Sequence, residues 1–170
     1  MWHEVGVTGW YKEWQEAVGK VAAAFERLPE AVRGNLATLA GGMVAHKEAM
    51  QQLVSGVDAA AHCAACGGAC CVKGKYHFSA VDLLVYLATD RPLFAPRFDN
   101  GLCPFLGEPA CLIPAGYRPF NCITFNCDLI EDQLAREDVS RFYRMEQELV
   151  ARYAAIRGVF PARSMDGPLL

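Results

Sequence analysis

The chain has 170 residues, 53% of them hydrophobic and 21% charged, the size and composition of one folded domain built around a single main core. Its 16 basic and 19 acidic side chains leave a net charge of -3, and no stretch gathers Lys and Arg into a block able to follow a phosphate backbone, so nucleic acid is not an expected partner. A membrane span is not expected either: the longest apolar run, Val81 to Ala88, is cut by Asp82 and falls far short of the roughly 18 residues required.

The N-terminal Met1-Trp2-His3-Glu4 lacks the basic start, apolar middle and small-residue cleavage site of a secretory signal, so the expected compartment is cytoplasmic. From Trp10 the residues Trp10, Trp14, Ala17, Val18, Val21, Phe25 and Leu28 recur at helical spacing, until Pro29 interrupts the pattern. A second helical pattern runs through Val32, Leu36, Leu39, Met43, Met50, Leu53, Val54 and Val57, weakened by Gly34 and the Gly41-Gly42 pair. Residues 10–58 should therefore form a helical hairpin with its two helices packed antiparallel.

Between Ala61 and Tyr76 the periodicity stops, and Cys and Gly dominate as in a loop wrapped around something. Ser79 and Asp82 then stand in the S-x-x-D arrangement of a capping box ahead of the run Leu83 to Leu87, which predicts a short helix ending before Asp90-Arg91-Pro92. From Pro92 to Cys127 the chain carries six of its nine prolines, too many for helix. Leu102 to Leu106 and Ala110 to Ile113 read as short extended pieces, with Gly107-Glu108-Pro109 turning one into the other as a small hairpin. From Asp128 a third long helical pattern runs to Ile156, broken near Glu137, and Arg157-Gly158-Val159 reads as a glycine C-cap before a frayed tail from Pro161.

Eight cysteines dominate the chemistry: Cys63-x2-Cys66-x3-Cys70-Cys71 in one loop, then Cys103, Cys111, Cys122 and Cys127 through the proline-rich stretch. In a reducing compartment this number points to metal ligation or redox chemistry, with a disulfide framework as the rival if the protein is exported. A C-x2-C loop lets two thiolates face one ion while backbone N–H groups point at the sulfurs, and Gly67 and Gly68 permit the tight curvature. Adjacent Cys70 and Cys71 rarely fit one tetrahedral ion, so they serve two ions or two corners of one cluster, and distant cysteines must complete a site. Two mononuclear zinc sites, or one iron–sulfur cluster with the remaining cysteines buried as small apolar residues, both satisfy the count. His62 and His77 flank the loop as polar surface groups or as supports for the ligands, and the aromatics Tyr76, Phe78, Phe105, Tyr117, Phe120 and Phe125 are expected first of all in the core, where they would also keep water from a cluster.

The ordered combination of Cys63-x2-Cys66-x3-Cys70-Cys71, Ser79-x-x-Asp82-Leu83, Leu102-Cys103-Pro104-Phe105-Leu106, Cys111-Leu112-Ile113 and Arg118-Pro119-x-x-Cys122 resembles the YkgJ-type cysteine-cluster family of zinc- or iron-chelating proteins. The likeness covers residues 63 to 125. It implies metal binding through Cys63, Cys66, Cys70, Cys71, Cys111 and Cys122, with Cys103 heading the C-x-F-L element and Cys127 additional. Where the family often carries Arg after the R-P-x-x-C cysteine and Pro after the next aromatic, this chain has Ile123 and Asn126. Related domains occur in flagellin lysine N-methylases, but no glycine-rich nucleotide loop follows a strand here to supply a methyl-donor site. Arg118 is a candidate N–H donor to a sulfur, or is held for packing by its Arg-Pro turn.

The expected fold is mainly α: a single domain, 1–170, in which a helical bundle made of the 10–58 hairpin and the 128–158 C-terminal region clamps an irregular cysteine-rich metal-binding segment, 61–127, with at most a small β-hairpin. The expected cofactor is an iron–sulfur cluster or zinc. The expected function is a redox or cluster-carrying protein, with a zinc-stabilised protein-binding module and a thiol oxidoreductase using Cys63 and Cys66 as the alternatives, and an unidentified protein as partner.

Overall fold

The computed structural model describes residues 6–58, 61–62, 65, 71, 76–99, 103–107, 111–160 and 169. Two long helices come first, α1 (Val7–Glu26) and α2 (Glu30–Val54), the second running into a 3-10 turn at Ser55–Val57. Pro29 separates them as the N-cap of α2, with φ -55° and ψ 147°, the extended conformation from which its fixed ring torsion can open a helix. The glycines of α2 do not interrupt it, because tertiary packing of its apolar stripe outweighs their propensity cost.

The third helix, α3 (Ala80–Ala88), starts as the sequence predicts. Ser79 Oγ accepts the Asp82 amide, and Asp82 Oδ2 accepts the Ser79 amide at 2.9 Å and its hydroxyl at 2.7 Å. The helix closes at Thr89, and Asp90 turns the chain away at φ 51°. A 3-10 turn at Ala115–Tyr117, a short helix α4 (Phe120–Thr124) and a single turn α5 (Asp128–Glu131) lead to the last long helix, α6 (Arg136–Val159).

Three expectations are corrected. The proline-rich stretch does contain helix: Pro114 and Pro119 act as N-caps, each starting a turn rather than breaking one. The helical hairpin of 10–58 is not packed on itself, since α1 lies mainly against α3, while α2 meets α3, α6 and the Ala115–Tyr117 turn. The reason is aromatic: Trp14 of α1 is buried and lies 5.5 to 6.0 Å, ring centre to ring centre, from Phe78, Phe94 and Phe105. Finally, α6 runs through Gly158 to Val159 and ends at Phe160, whose extended backbone is the conformation imposed on a residue that precedes proline.

The antiparallel bridge Leu106–Cys111, with the Leu112 amide on the Phe105 carbonyl at 2.8 Å, is the described part of the small hairpin. No helix among the described residues is long and apolar enough to cross a membrane. Of the tail, only Leu169 is described, its amide bonded to the Phe78 carbonyl at 2.7 Å.

Candidate metal centre

Cys71, Cys103, Cys111, Cys122 and Cys127 lie in the described part of the structure; Cys63, Cys66 and Cys70 fall outside it. Four local devices carry the five. Cys71 ends the cysteine loop, Cys103 and Cys111 flank the hairpin turn, Cys122 lies in the first turn of α4, its amide on the Pro119 carbonyl at 3.0 Å, and Cys127 is the N-cap of α5.

Cys122 is the meeting point. Its thiol is pushed up to about 12, first by burial and then by the neighbouring Cys103, Cys111, Asp82 and Cys71, whose charged forms would repel its own. Cys71 of the loop and Cys103 and Cys111 of the distal set thus each act electrostatically on Cys122. His77 Nδ1 sits 3.5 Å from the Cys122 sulfur, and burial lowers the His77 pKa, which favours neutral imidazole.

Cys103 is buried, and desolvation raises its thiol. Opposing that, the backbone amides of Phe105 and Leu106 favour the thiolate, and the Leu106 amide also donates to the Cys103 carbonyl at 3.0 Å. Arg118, expected as a donor to sulfur, instead bonds the Ile113 carbonyl through Nε at 3.3 Å and Gln51 Oε1 through Nη1 at 3.2 Å, so it ties its turn to α2. His62 pairs with Gln133 at 3.0 Å on the surface, bracing the loop against the turn after α5.

Beside the cysteines lies a charged network that the spacing arguments did not find. Lys47 of α2 is 0% exposed and Asp82 of α3 is 1% exposed. Lys47 Nζ donates to the Arg118 carbonyl at 2.7 Å and to the Tyr153 hydroxyl at 2.9 Å, and lies 3.5 Å from Asp82 Oδ1. The Tyr153 hydroxyl in turn donates to Asp82 Oδ1 at 2.5 Å. Burial lowers the Lys47 pKa while Asp82 and then Cys122 oppose that shift, and burial beside Asp82 raises Tyr153 well above the usual phenol range. One signal was present in the sequence: Lys47 falls inside the stripe Leu36, Ala40, Met43, Met50, Val54 of α2, where every other member is buried.

Among the described residues, no group of three or more His, Cys, Asp or Glu side chains is disposed to hold a metal ion. Comparison of the chain with protein-family models, with curated proteins and with solved structures finds no match.

Proposed function

We propose that this protein binds an iron–sulfur cluster through cysteines drawn from Cys63, Cys66, Cys70, Cys71, Cys103, Cys111, Cys122 and Cys127, and that it serves as a redox or cluster-carrying protein. In this reading α2 and α6, which pack together, are the frame that clamps the cysteine-rich segment 61–127. The observation that supports the reading best is the surroundings of Cys122: a half-buried sulfur on whose thiolate Cys71, Cys103 and Cys111 all act repulsively. Such a set is unfavourable as thiolates and is relieved by a cation, so metal uptake would release protons and convert the repulsion into ligation.

The backbone amides of Phe105 and Leu106, which favour the Cys103 thiolate, agree with the reading. The aromatic group of Trp14, Phe78, Phe94 and Phe105 supplies an apolar flank beside that sulfur. The resemblance of the cysteine pattern to the YkgJ-type family agrees with the reading. A zinc-stabilised binding module uses the same donors and is the alternative. A thiol oxidoreductase using Cys63 and Cys66 is the other alternative, and both residues lie outside the described part of the structure.

Elemental analysis with a visible spectrum of anaerobically purified protein tests the proposal. Iron with sulfide and broad visible absorption supports the cluster, stoichiometric zinc in a colourless protein supports the alternative, and a folded protein that neither contains nor takes up metal rejects both.

A further inference from the structure

His46 of α2 is 8% exposed, and each of its ring nitrogens meets an oxygen of α6. Nε2 is 2.7 Å from the Met145 carbonyl oxygen, and Nδ1 is 3.7 Å from Glu148 Oε2. A carbonyl oxygen can only accept, so Nε2 carries a proton. Neutral imidazole has one proton to give, and with Nε2–H committed its Nδ1 lone pair faces the Glu148 carboxylate, an acceptor against an acceptor. Imidazolium satisfies both contacts, with Nε2–H on the carbonyl and a charged Nδ1–H turned to the carboxylate.

Glu148 has a second place to go. Its side chain is 64% exposed, and it shares a groove with Leu39, Ala151, Arg152 and Ala155. Arg152 stands four residues on from Glu148 in α6, the order that suits a carboxylate and a cation on one helix face. Its Nη1 lies over Gly42 of α2, 3.0 Å from where a Cβ would stand, and its Nε is buried with no hydrogen-bond partner among the described residues. A buried N–H left unpaired costs stability, so the carboxylate has a reason to turn to Arg152 once His46 has no proton for it.

The other titratable groups that meet α2 are bonded elsewhere. Asp82 of α3 holds Lys47 and Ser79, Tyr117 pairs with Thr89, Arg118 holds Gln51 and the Ile113 carbonyl, Cys122 of α4 faces His77, and Tyr153 of α6 joins Lys47 and Asp82. Within α2, Lys47 belongs to that buried network and Glu48 lies against Gly116. Beside Met145 in α6, Arg144 is exposed and Glu146 acts on Tyr143.

We propose that His46, Glu148 and Arg152 form a pH-sensitive latch across the seam between α2 and α6. With His46 protonated, Glu148 pairs with it and ties the two helices together; with His46 neutral, Glu148 turns to Arg152 within α6 and that tie is released. No metal enters this switch, so it stands apart from the reading of the cysteines.

Double-mutant cycles on the full chain test it, with His46→Gln, Glu148→Gln and Arg152→Gln read by denaturant unfolding at about pH 5.5 and about pH 8, the range over which imidazole side chains change charge. The coupling between His46 and Glu148 should be about two- to fivefold in the folding equilibrium constant at the lower pH, the size expected of a half-exposed ion pair, and absent at the higher. The coupling between Glu148 and Arg152 should be the larger at the higher pH. A His46–Glu148 coupling that is missing at both values, or equal at both, would overturn the proposal, and so would a Glu148–Arg152 coupling indifferent to pH. Nitrogen NMR of wild type needs no variant to fold: at about pH 8 the His46 proton should sit on Nε2, and lowering the pH should add the second at Nδ1. A neutral ring protonated at Nδ1, or a Glu148 carboxylate whose signal ignores the second proton, would equally reject the latch.

Discussion

Lys47 shows how one residue can be costly to bury and still be retained. Its ammonium has a donor for each of the Arg118 carbonyl, the Tyr153 hydroxyl and the Asp82 carboxylate, and its charge lies over the Tyr153 ring at 4.9 Å. Lys47→Met should leave Asp82 buried without its counter-charge and cost about 3 to 5 kcal/mol in a denaturant titration. Lys47→Met with Asp82→Asn should recover most of that loss, since the two charges leave together. Cys122 gives a pH test of the opposite kind. Its folded pKa is about 12 against an ordinary 9.0, so the folded state holds a proton that the unfolded chain releases. That contribution to metal-free stability is complete below pH 9 and is lost as the pH rises toward about 12. Stability curves of wild type and Cys122→Ser should therefore converge over that window, wild type falling more steeply; parallel curves would contradict the buried thiol.

At the level of elements, the approach of the Ala115–Tyr117 turn to α2 depends on a glycine. A Cβ at Gly116 would lie 2.7 Å from Val44 Cγ1 and 3.1 Å from Glu48 Cγ, closer than packed atoms tolerate. The same turn leads into Arg118, whose carbonyl binds Lys47, and then into Pro119 and Cys122, so the spacing between turn and helix bears on the placement of the Cys122 sulfur. Gly116→Ala should destabilise the protein by about 1 to 3 kcal/mol, measured by thermal or denaturant unfolding, as overpacking in a tight contact does. The capping box of α3 acts similarly on the other side: Asp82 closes the helix with Oδ2 and holds the buried network with Oδ1, joining the end of the cysteine loop to the core.

Across the whole molecule, α2 is the common surface on which α3, α6 and the proline-rich turn meet, and α1 reaches the core through Trp14. A cysteine that helps join these parts through a metal should matter more than one at the periphery. Cys71 acts on the Cys122 sulfur, whereas Cys127 caps the single turn α5. Cys71→Ser should therefore lose more metal and more thermal stability than Cys127→Ser, read by elemental analysis and melting of the two purified variants. Equal metal retention would reject that ranking.

Local chemistry was enough to reveal much of this protein. The helical spacing before and after Pro29, the S-x-x-D box at Ser79 and the long C-terminal pattern all rest on interactions within a few residues, and the corresponding helices are present. The cysteine candidates, too, were visible as a pattern. Tertiary structure alone decided which surfaces meet: α1 leaves α2 for α3 because Trp14 finds three aromatic rings from distant parts of the chain. It alone decided that Lys47, Asp82 and Tyr153 form one buried network, since 35 residues separate the first two and 71 the last two, and no local rule couples charges across such distances. Sequence periodicity marks a face as buried; what that face is buried against depends on which distant faces it can exclude water with, and that is a property of the assembled fold.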